Sequence, residues 1–303
     1  MNIVVPESFV DYELLDSGNG RKLERFGNNI VIRPYEVAAW LPSLPKSVWD
    51  LATVECEIKE VRIQNKIKRS FEWNPTEKFQ TTWRVVFDDP QKKELIAKPL
   101  VFDLSFSISQ NIGLFPEQAA HWMWMIRRIK KQTEPVSVLN LFGYTGAATL
   151  AMAAAGANVC HVDASKAAIS WAKKNQELSG LENAPIRWIC DDALTFMTRE
   201  IKRGKKYDAI IMDPPPFGRN PQGKTFKFEK EIDILLAACK QLLVKKPVFF
   251  ILNSYAMNYT PEKLGSFVTP WFNKDKVESG ALGVVQKSNG QIEPFGIFSR
   301  LWY

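Results

Sequence analysis

The segment VSVLNLFGYTGAATLAMAAAGANVCHVDAS, residues 136–165, decides how this chain folds. An apolar run of the length of a buried strand ends at Phe142, and Gly143 and Gly146 follow directly after it. A stretch rich in alanine comes next, and a second apolar run ends at Asp163. The pattern predicts a strand, a tight turn, a helix and a second strand, which together form a βαβ unit.

The turn of this unit has the residues that a nucleotide-like ligand requires. Thr145 is placed to cap the helix, and Gly156 is placed to end it. Gly143 and Gly146 let the backbone approach a ligand closely, and Asp163, about twenty residues further on, can accept hydrogen bonds from ribose hydroxyls. We therefore expect a ligand with a ribose at this turn.

The spacing of the glycines bears on which cofactor binds. A dinucleotide-binding turn has the pattern G-x-G-x-x-G, but this turn reads Gly143-Tyr144-Thr145-Gly146 with Ala148 beyond it. S-adenosylmethionine has a ribose but no pyrophosphate, so it requires the acidic residue and not the third glycine. The turn alone leaves both cofactors open.

Composition excludes several classes of protein. The 303-residue chain has a formal net charge of +7, which permits a polyanionic partner without requiring one. Its longest apolar run, near Val248, is too short to cross a bilayer, so we expect a cytoplasmic protein with no membrane partner. The cysteines form no C-x-x-C pair, so we expect neither a disulfide nor a bound metal. They are Cys56, Cys160, Cys190 and Cys239.

In residues 1–105, short strand-like runs alternate with turn signals. This pattern predicts a small β-rich (α+β) domain, which we interpret as the substrate-recognition domain. Within it, residues 62–73 interleave the cations Lys66, Lys68 and Arg69 with aromatic side chains. This mixture suits phosphate contact combined with base stacking, as in the binding of single-stranded RNA. A solvated hairpin whose aromatic side chains pack inward is the alternative.

Residues 106–303 predict a second domain, in which strands and helices alternate. The alternation favours a Rossmann-like, doubly wound α/β sheet, and Asn289-Gly290 predicts an antiparallel hairpin at its C-terminal edge. Ligands of such sheets bind beyond the carboxyl ends of the strands. The residues predicted at those ends are 140–146, Asp163, Asp191-Asp192 and 213–217.

Four motifs at these strand ends resemble those of class I S-adenosylmethionine methyltransferases. They are FGYTGAATL, HVDASK, DDA and DPPPFGR. Within that class the chain is similar to the large-subunit ribosomal RNA methyltransferases that make 5-methylcytosine or 7-methylguanine. The similarity covers residues 108–303, and the β-rich part resembles that family's central substrate domain more loosely. The resemblance implies S-adenosylmethionine as the cofactor and ribosomal RNA as the partner.

The resemblance also implies a role for each matching residue. Asn140, Phe142 and Gly143 are expected at the methionine end of the cofactor, Asp163 at the ribose, and Asp192 at the adenine amine. The complete set of expected cofactor contacts is Phe115, Gln118, Asn140, Phe142, Gly143, Tyr144, Thr145, Gly146, Asp163, Ala164, Asp192, Ala193 and Asp213. In this family an arginine commonly follows the glutamine that corresponds to Gln118, but in this chain the next residue is Ala119.

The Asp-Pro-Pro motif predicts the catalytic group. Prolines have a fixed φ, so Pro214 and Pro215 hold Asp213 rigidly, where it can accept a hydrogen bond from the group that is methylated. Phe217 is placed to stack on a base. A turn that only ends a strand is the alternative interpretation.

Methylation of cytosine at C5 requires a thiolate nucleophile. Neither DPPPFGR nor the segment LNSY at the end of the fifth strand contains cysteine. We therefore predict methylation of a nitrogen of a ribosomal RNA base. A methyltransferase for a protein or a small molecule and a non-catalytic cofactor-binding module are the alternatives, and the oligomeric state is not predicted.

Residues 218–225, GRNPQGKT, match the pattern of a phosphate-binding P-loop. The prolines before and inside the segment remove backbone N–H donors that a phosphate cradle needs, and no later strand ends in an aspartate for magnesium. A nucleotide hydrolase is therefore a minor alternative. We interpret the cations of the segment, Arg219 and Lys224, as substrate contacts.

Overall fold

A computed structural model describes residues 1–63, 66–88, 95–219, 225–255 and 259–303. Its strands and helices, in chain order, are β1 (Ile3–Val4), β2 (Tyr12–Gly18), β3 (Arg21–Phe26), β4 (Asn29–Pro34), α1 (Lys46–Trp49), β5 (Val54–Ile63), β6 (Lys66–Pro75), β7 (Arg84–Phe87), β8 (Leu100–Asp103), α2 (Ala119–Lys130), β9 (Ser137–Leu141), α3 (Ala147–Ala154), β10 (Asn158–Asp163), α4 (Lys166–Leu178), β11 (Ile186–Cys190), α5 (Ala193–Lys202), β12 (Ala209–Met212), β13 (Phe217–Arg219), β14 (Thr225–Lys227), α6 (Phe228–Leu242), β15 (Phe249–Ser254), α7 (Pro261–Val268), β16 (Val277–Val285) and β17 (Ile292–Trp302). A 3₁₀ turn at Pro116–Gln118 leads into α2.

The second half of the chain supplies seven of the eight strands of the predicted Rossmann-like sheet. Its eight strands lie in the order β1-β16-β17-β15-β12-β9-β10-β11, and the five from β15 to β11 are parallel. Strands β16 and β17 form the predicted antiparallel hairpin at the other side. The fold class is therefore confirmed.

Helices cover both faces of the parallel strands. Successive side chains of a strand point to opposite faces, so neighbouring residues pack in different cores. Val138 and Ile211 pack in one apolar core with helices α2 and α3. Their neighbours Leu139 and Ile210 pack in a second core with α5 and α6. All positions of β12 and β15 are buried, as expected for strands in the middle of a parallel sheet.

The order of the strands fixes where a ligand can bind. From β9 the chain adds β10 and β11 on one side and then returns to add β12 and β15 on the other. The carboxyl ends of β9 and β12 are therefore adjacent, and Leu141 pairs with Met212. A reversal of strand order of this kind opens a crevice at the strand ends, where ligands bind.

The β-rich region forms a five-stranded sheet in the order β2-β3-β4-β5-β6. Strand β2 was not predicted, because its Asp16 and Ser17 interrupt the apolar pattern. Both are fully buried. Asp16 accepts hydrogen bonds from Trp49 Nε1 at 3.1 Å and from Gln286 Nε2 at 3.0 Å, so residues far away in the sequence make its burial possible.

The N-terminal residues also join the large sheet, since β1 pairs with β16 in parallel. The division of the chain into domains at residue 105 stays a prediction. Among the described residues, no helix combines the length and apolar character needed to cross a membrane.

Candidate active site

The turn after β9 is held in a strained conformation at the edge of the crevice. Phe142 and Tyr144 have φ of 57° and 50°, and Gly146 has φ of 87°. Non-glycine residues rarely adopt positive φ, and such strain is typical of functional sites. Asp163 stabilises the turn, because its Oδ2 accepts a hydrogen bond from the backbone N–H of Tyr144 at 2.9 Å.

Gly143 is required by its surroundings. A Cβ atom at this position would lie 2.4 Å from Cε1 of His161. The imidazole is fully buried, and its Nδ1 lies 2.8 Å from Thr149 Oγ1, which also accepts a hydrogen bond from Asn140 Nδ2 at 2.8 Å. Burial lowers the pKa of His161 to about 3, so the ring supports the turn as a neutral group.

The prediction that Thr145 caps helix α3 is wrong. The N-cap is Gly146, and Thr145 Oγ1 instead donates a hydrogen bond to the carbonyl oxygen of Gly113 at 2.6 Å. The reason is that the helix begins from the left-handed conformation of Gly146, which leaves the Thr145 side chain free to hold the loop before α2. Gly146 also packs closely, since a Cβ atom there would lie 2.9 Å from Ala172 Cβ.

A cavity of about 880 Å³ lies between the strand ends and the β-rich sheet. Its wall contains most of the residues expected to contact the cofactor or to act in catalysis. They are Phe115, Phe142, Tyr144, Asp163, Ala164, Asp192, Ala193, Asp213, Pro214 and Pro215. A smaller cavity of about 60 Å³ shares Asp213 with it and is lined by Gln118, Asn140, Gly143 and Thr145. Gly146 lines neither cavity.

The acidic residues of the wall fit an adenosine ligand. Asp163 accepts backbone hydrogen bonds on both oxygens, from Tyr144 and, at 2.8 Å, from Ser165, and each oxygen keeps a second lone pair for a hydroxyl. Asp192 caps α5 through Thr195 N at 2.9 Å, which fixes its carboxylate at the cavity. The wall therefore offers acceptors for hydroxyl and amino groups, as a nucleoside requires.

Asp213 directly follows β12, and a residue of the 3₁₀ turn before α2 hydrogen-bonds its side chain. Gln118 Nε2 donates a hydrogen bond of 2.6 Å to Asp213 Oδ2. Burial raises the pKa of Asp213 to about 7; the hydrogen bond from Gln118 lowers it, and the charge of Glu117 raises it further. Asp213 is therefore poised to exchange a proton near neutral pH.

Several residues of the wall were missed by the sequence analysis. Lys22, Arg33 and Tyr35 come from the β-rich sheet and the loop after it, and Phe295 comes from β17. The Lys22 ammonium lies 4.4 Å from the centre of the Phe295 ring. No local pattern marks these residues, because only the packing of the two sheets brings them together. Tyr255 was also missed, although its position just after β15 could have been found by the rule on strand ends.

The predicted RNA contacts are only partly described. Arg69 forms ion pairs with Glu60 at 2.8 Å and with Glu36 at 3.0 Å. Trp73 packs inward and stacks on Phe106, with ring centres 4.9 Å apart, as in the solvated-hairpin alternative. Lys224 lies outside the described part of the structure. For the remaining predicted contacts, the structure describes the backbone and not the side chain. They are Lys66, Lys68, Phe217 and Arg219.

The secondary structure on either side of the P-loop-like segment, residues 218–225, differs from that of a P-loop. A P-loop runs directly from its Lys-Thr pair into a helix. Thr225 instead lies in β14, which pairs with β13, and α6 begins only at Phe228. Among the described residues, no group of three or more His, Cys, Asp or Glu side chains is arranged to hold a metal ion.

Comparison with known proteins identifies the family. The sequence profile of the S-adenosylmethionine-dependent methyltransferase family matches residues 72–256, more than half of the chain. The crystal structure of an S-adenosylmethionine-dependent methyltransferase from Agrobacterium tumefaciens is 34% identical and superimposes with a TM-score of 0.87, covering 100% of this chain and 93% of its own.

Curated relatives match over shorter regions. The ribosomal RNA large subunit methyltransferase K/L of Magnetococcus marinus is 26% identical over 226 residues, which are 73% of this chain and 30% of that protein. The enzyme of the same name from Vibrio cholerae is 33% identical over 119 residues, which are 39% of this chain and 16% of that protein. The chain thus spans less than a third of the length of either relative. The acidic strand ends, the strained turn and these matches lead to one conclusion: the chain belongs to the S-adenosylmethionine-dependent methyltransferase family and is an enzyme that uses S-adenosylmethionine as its methyl donor.

Proposed function

We propose that this enzyme methylates a nitrogen of a base in ribosomal RNA. The observation that carries the proposal is the position of Asp213, which lines the cavity beside the glycine turn while Gln118 holds one of its oxygens at 2.6 Å. The names of the relatives from Magnetococcus and Vibrio support an RNA substrate.

S-adenosylmethionine supplies a methyl group on a sulfonium, which a nitrogen lone pair can attack without a covalent enzyme intermediate. The residues of the chain then have to orient the nitrogen and accept a hydrogen bond or proton as positive charge develops on it. Asp213 suits this task. Its Oδ2 is occupied by Gln118, whereas its Oδ1 accepts no hydrogen bond from the described residues. Pro214 and Pro215 fix the backbone that follows.

The cysteines support nitrogen rather than carbon as the target. None of the four, all of which the structure describes, lines the cavity. Burial raises the pKa of Cys56 and of Cys160 to about 11 and that of Cys239 to about 12, so none of these three is a ready thiolate. Cys190 is exposed at the end of β11.

The proposal assigns RNA binding to the β-rich region and to the segment after Asp213. Lys66, Lys68, Arg69, Arg219 and Lys224 are the proposed phosphate contacts, and Phe217 is the proposed stacking partner of the base. The formal net charge of +7 is favourable for a polyanion. A ribosomal RNA substrate implies that the enzyme acts in the cytoplasm.

The test is transfer of a radioactive methyl group to RNA extracted from a strain that lacks the gene. We expect the label in ribosomal RNA from that strain and not from the parent, in which the site is already methylated. Nucleoside mass spectrometry should then identify an N-methylated base. Label found only in protein or in a small molecule would overturn the proposed substrate, and a C5-methylated cytosine would overturn the proposed target atom.

A further inference from the structure

Glu117, Tyr255, Gln118 and Asp213 form a hydrogen-bonded chain. Gln118 Nε2 donates to Asp213 Oδ2 at 2.6 Å and to Tyr255 Oη at 3.1 Å. Tyr255 Oη in turn donates to Glu117 Oε1 at 2.7 Å. An amide nitrogen has two hydrogens, a hydroxyl has one, and the Oε1 of Glu117 accepts the one from Tyr255. An accepting Glu117 therefore orients every donor in the chain.

We propose that Glu117 is a positioning residue that, through Tyr255 and Gln118, keeps an amide N–H directed at Asp213 and so keeps Asp213 an acceptor toward the substrate. The functional part of this inference rests on the proposed role of Asp213. Glu117 itself is 5% exposed and hydrogen bonds to Tyr255 from the 3₁₀ turn before α2.

The opposite orientation would have the opposite effect on Asp213. Without an acceptor at position 117, the Tyr255 hydroxyl is free to donate to the amide oxygen of Gln118. Because Nε2 contacts both Tyr255 and Asp213, an amide that turns its oxygen toward Tyr255 also turns it toward Asp213. An oxygen facing Asp213 Oδ2 disfavours the carboxylate and favours the protonated acid, whose proton is then donated to Gln118. The Oδ1 left for the substrate is the carbonyl oxygen of a neutral acid, which is a weaker acceptor and a poor base.

Glu117 also acts on Asp213 by its charge, and the sign of that effect is different. A like charge raises the pKa of Asp213, whereas the hydrogen bond from Gln118 lowers it. Two variants separate these effects. Glu117→Gln keeps an oxygen that accepts from Tyr255 and removes the charge. Tyr255→Phe keeps the charge but removes the oxygen that holds the second N–H of Gln118, so the amide is free to turn its own oxygen toward Asp213.

Other charged or titratable groups border the same cavity and stay unchanged in both variants. They are Lys22, Arg33, Tyr35, Glu36, Tyr144, Asp163, Asp191 and Asp192. A matched control is Glu229→Gln, because Glu229 Oε1 likewise accepts a tyrosine hydroxyl, that of Tyr259 at 2.9 Å, at an exposed position.

The experiment is a titration of the full chain labelled with carbon-13 at the aspartate carboxyl groups, followed by nuclear magnetic resonance. The signal of Asp213 is assigned by its loss in Asp213→Asn. We expect Glu117→Gln to lower the pKa of Asp213 by roughly one unit and Tyr255→Phe to raise it by a similar amount. Gln118→Met, which removes the donor itself, should also raise it and serves as a second variant if Tyr255→Phe does not fold.

Shifts in the same direction for Glu117→Gln and the chain-breaking variants, or no shift in either, would overturn the inference. Glu229→Gln should leave the Asp213 signal in place. A role of Glu117 in stability alone predicts no such pair of opposite shifts. The titration requires no RNA, so its outcome does not depend on whether ribosomal RNA proves to be the substrate.

Discussion

The imidazole of His161 fills the space in which a side chain of Gly143 would have to lie, with only 2.4 Å between its Cε1 and the position of a Cβ atom. The two residues come from adjacent parallel strands, since His161 belongs to β10 and Gly143 follows β9. The glycine of the turn is thus determined by a buried neighbour as well as by the ligand.

Gly143→Ala should consequently destabilise the protein by about 1–3 kcal/mol, the usual cost of overpacking, and weaken binding of S-adenosylmethionine. Urea unfolding and calorimetry measure the two effects. His161→Ala alone removes the ring, and the double variant Gly143→Ala, His161→Ala should lose less stability than the sum of the two single variants. Additive losses would show that the contact is not the cause.

Asp163→Ala should weaken binding of S-adenosylmethionine by roughly 1–3 kcal/mol, because it removes an ionised acceptor at the expected position of the ribose. Part of the loss should come from the turn, whose Tyr144 N–H loses its partner. Asp208→Ala is the matched control, since Asp208 Oδ2 also accepts a backbone N–H, that of Ser137 at 2.9 Å, next to the start of β9. Calorimetry should find weaker binding only in Asp163→Ala, and equal losses would contradict the assignment.

The rate of methyl transfer should depend on the protonation of Asp213. Burial raises its pKa to about 7, so the side chain is a neutral acid below this pH and an accepting carboxylate above it. We expect kcat/KM to rise with pH through about 7 and then to level off.

Asp213→Asn should lower turnover by about a hundredfold or more and remove this pH dependence, while S-adenosylmethionine affinity stays nearly intact. Assays with RNA from the deletion strain decide this. A pH profile that is unchanged in Asp213→Asn would assign the titration to another group.

The same elevated pKa has a consequence for stability. The folded protein retains a proton on Asp213 between its usual pKa of 3.8 and about 7, whereas the unfolded chain releases it. The contribution of Asp213 to the free energy of unfolding should therefore fall as pH rises from about 4 to about 7. Chemical denaturation of Asp213→Asn and of the wild type across this range should show a smaller decline in the variant. A decline of equal size would indicate that Asp213 has an ordinary pKa.

Replacing the four cysteines with serine one at a time should cost stability at most and leave methyl transfer intact, since none lines the cavity. The buried Cys239 should cost more stability than the exposed Cys190. Transfer assays and thermal unfolding measure both effects. Loss of transfer in one variant, together with a covalent RNA adduct on that thiol, would identify a carbon methylase.

RNA binding should weaken steeply with added salt if cations contact phosphates. Arg69→Gln should flatten the slope by about one unit or less, because Arg69 is already paired with Glu36 and Glu60. Lys240→Gln on α6 is the control and should leave the slope unchanged. Filter binding at several salt concentrations measures it. No RNA binding even at low salt would favour a protein or small-molecule substrate.

The sequence by itself determined the parts of this protein that depend on local chemistry. Alternation of strands and helices predicted the doubly wound sheet, which the structure confirms. The cap that Ser165 places on α4 is likewise local, since its side chain accepts from the N–H of Ala168. The acidic residue at the end of β10 predicted a ligand with a ribose, and the resemblance of the strand-end motifs implied S-adenosylmethionine, which the family confirms. Signals of this kind lie within a few residues of one another, so they can be found without knowledge of the tertiary fold.

Only the tertiary structure decided which distant residues meet. Asp16 and Gln286, 270 residues apart, satisfy each other as buried polar groups, and no local pattern could reveal this. Thr145 shows the same limit, because its hydroxyl binds a loop that the sequence does not place near it. The chain from Glu117 to Asp213 likewise exists only because the order of the strands brings the ends of β12 and β15 next to the 3₁₀ turn. Burial sets the proton affinity of Asp213, and burial is a property of the packed molecule rather than of any segment of its sequence.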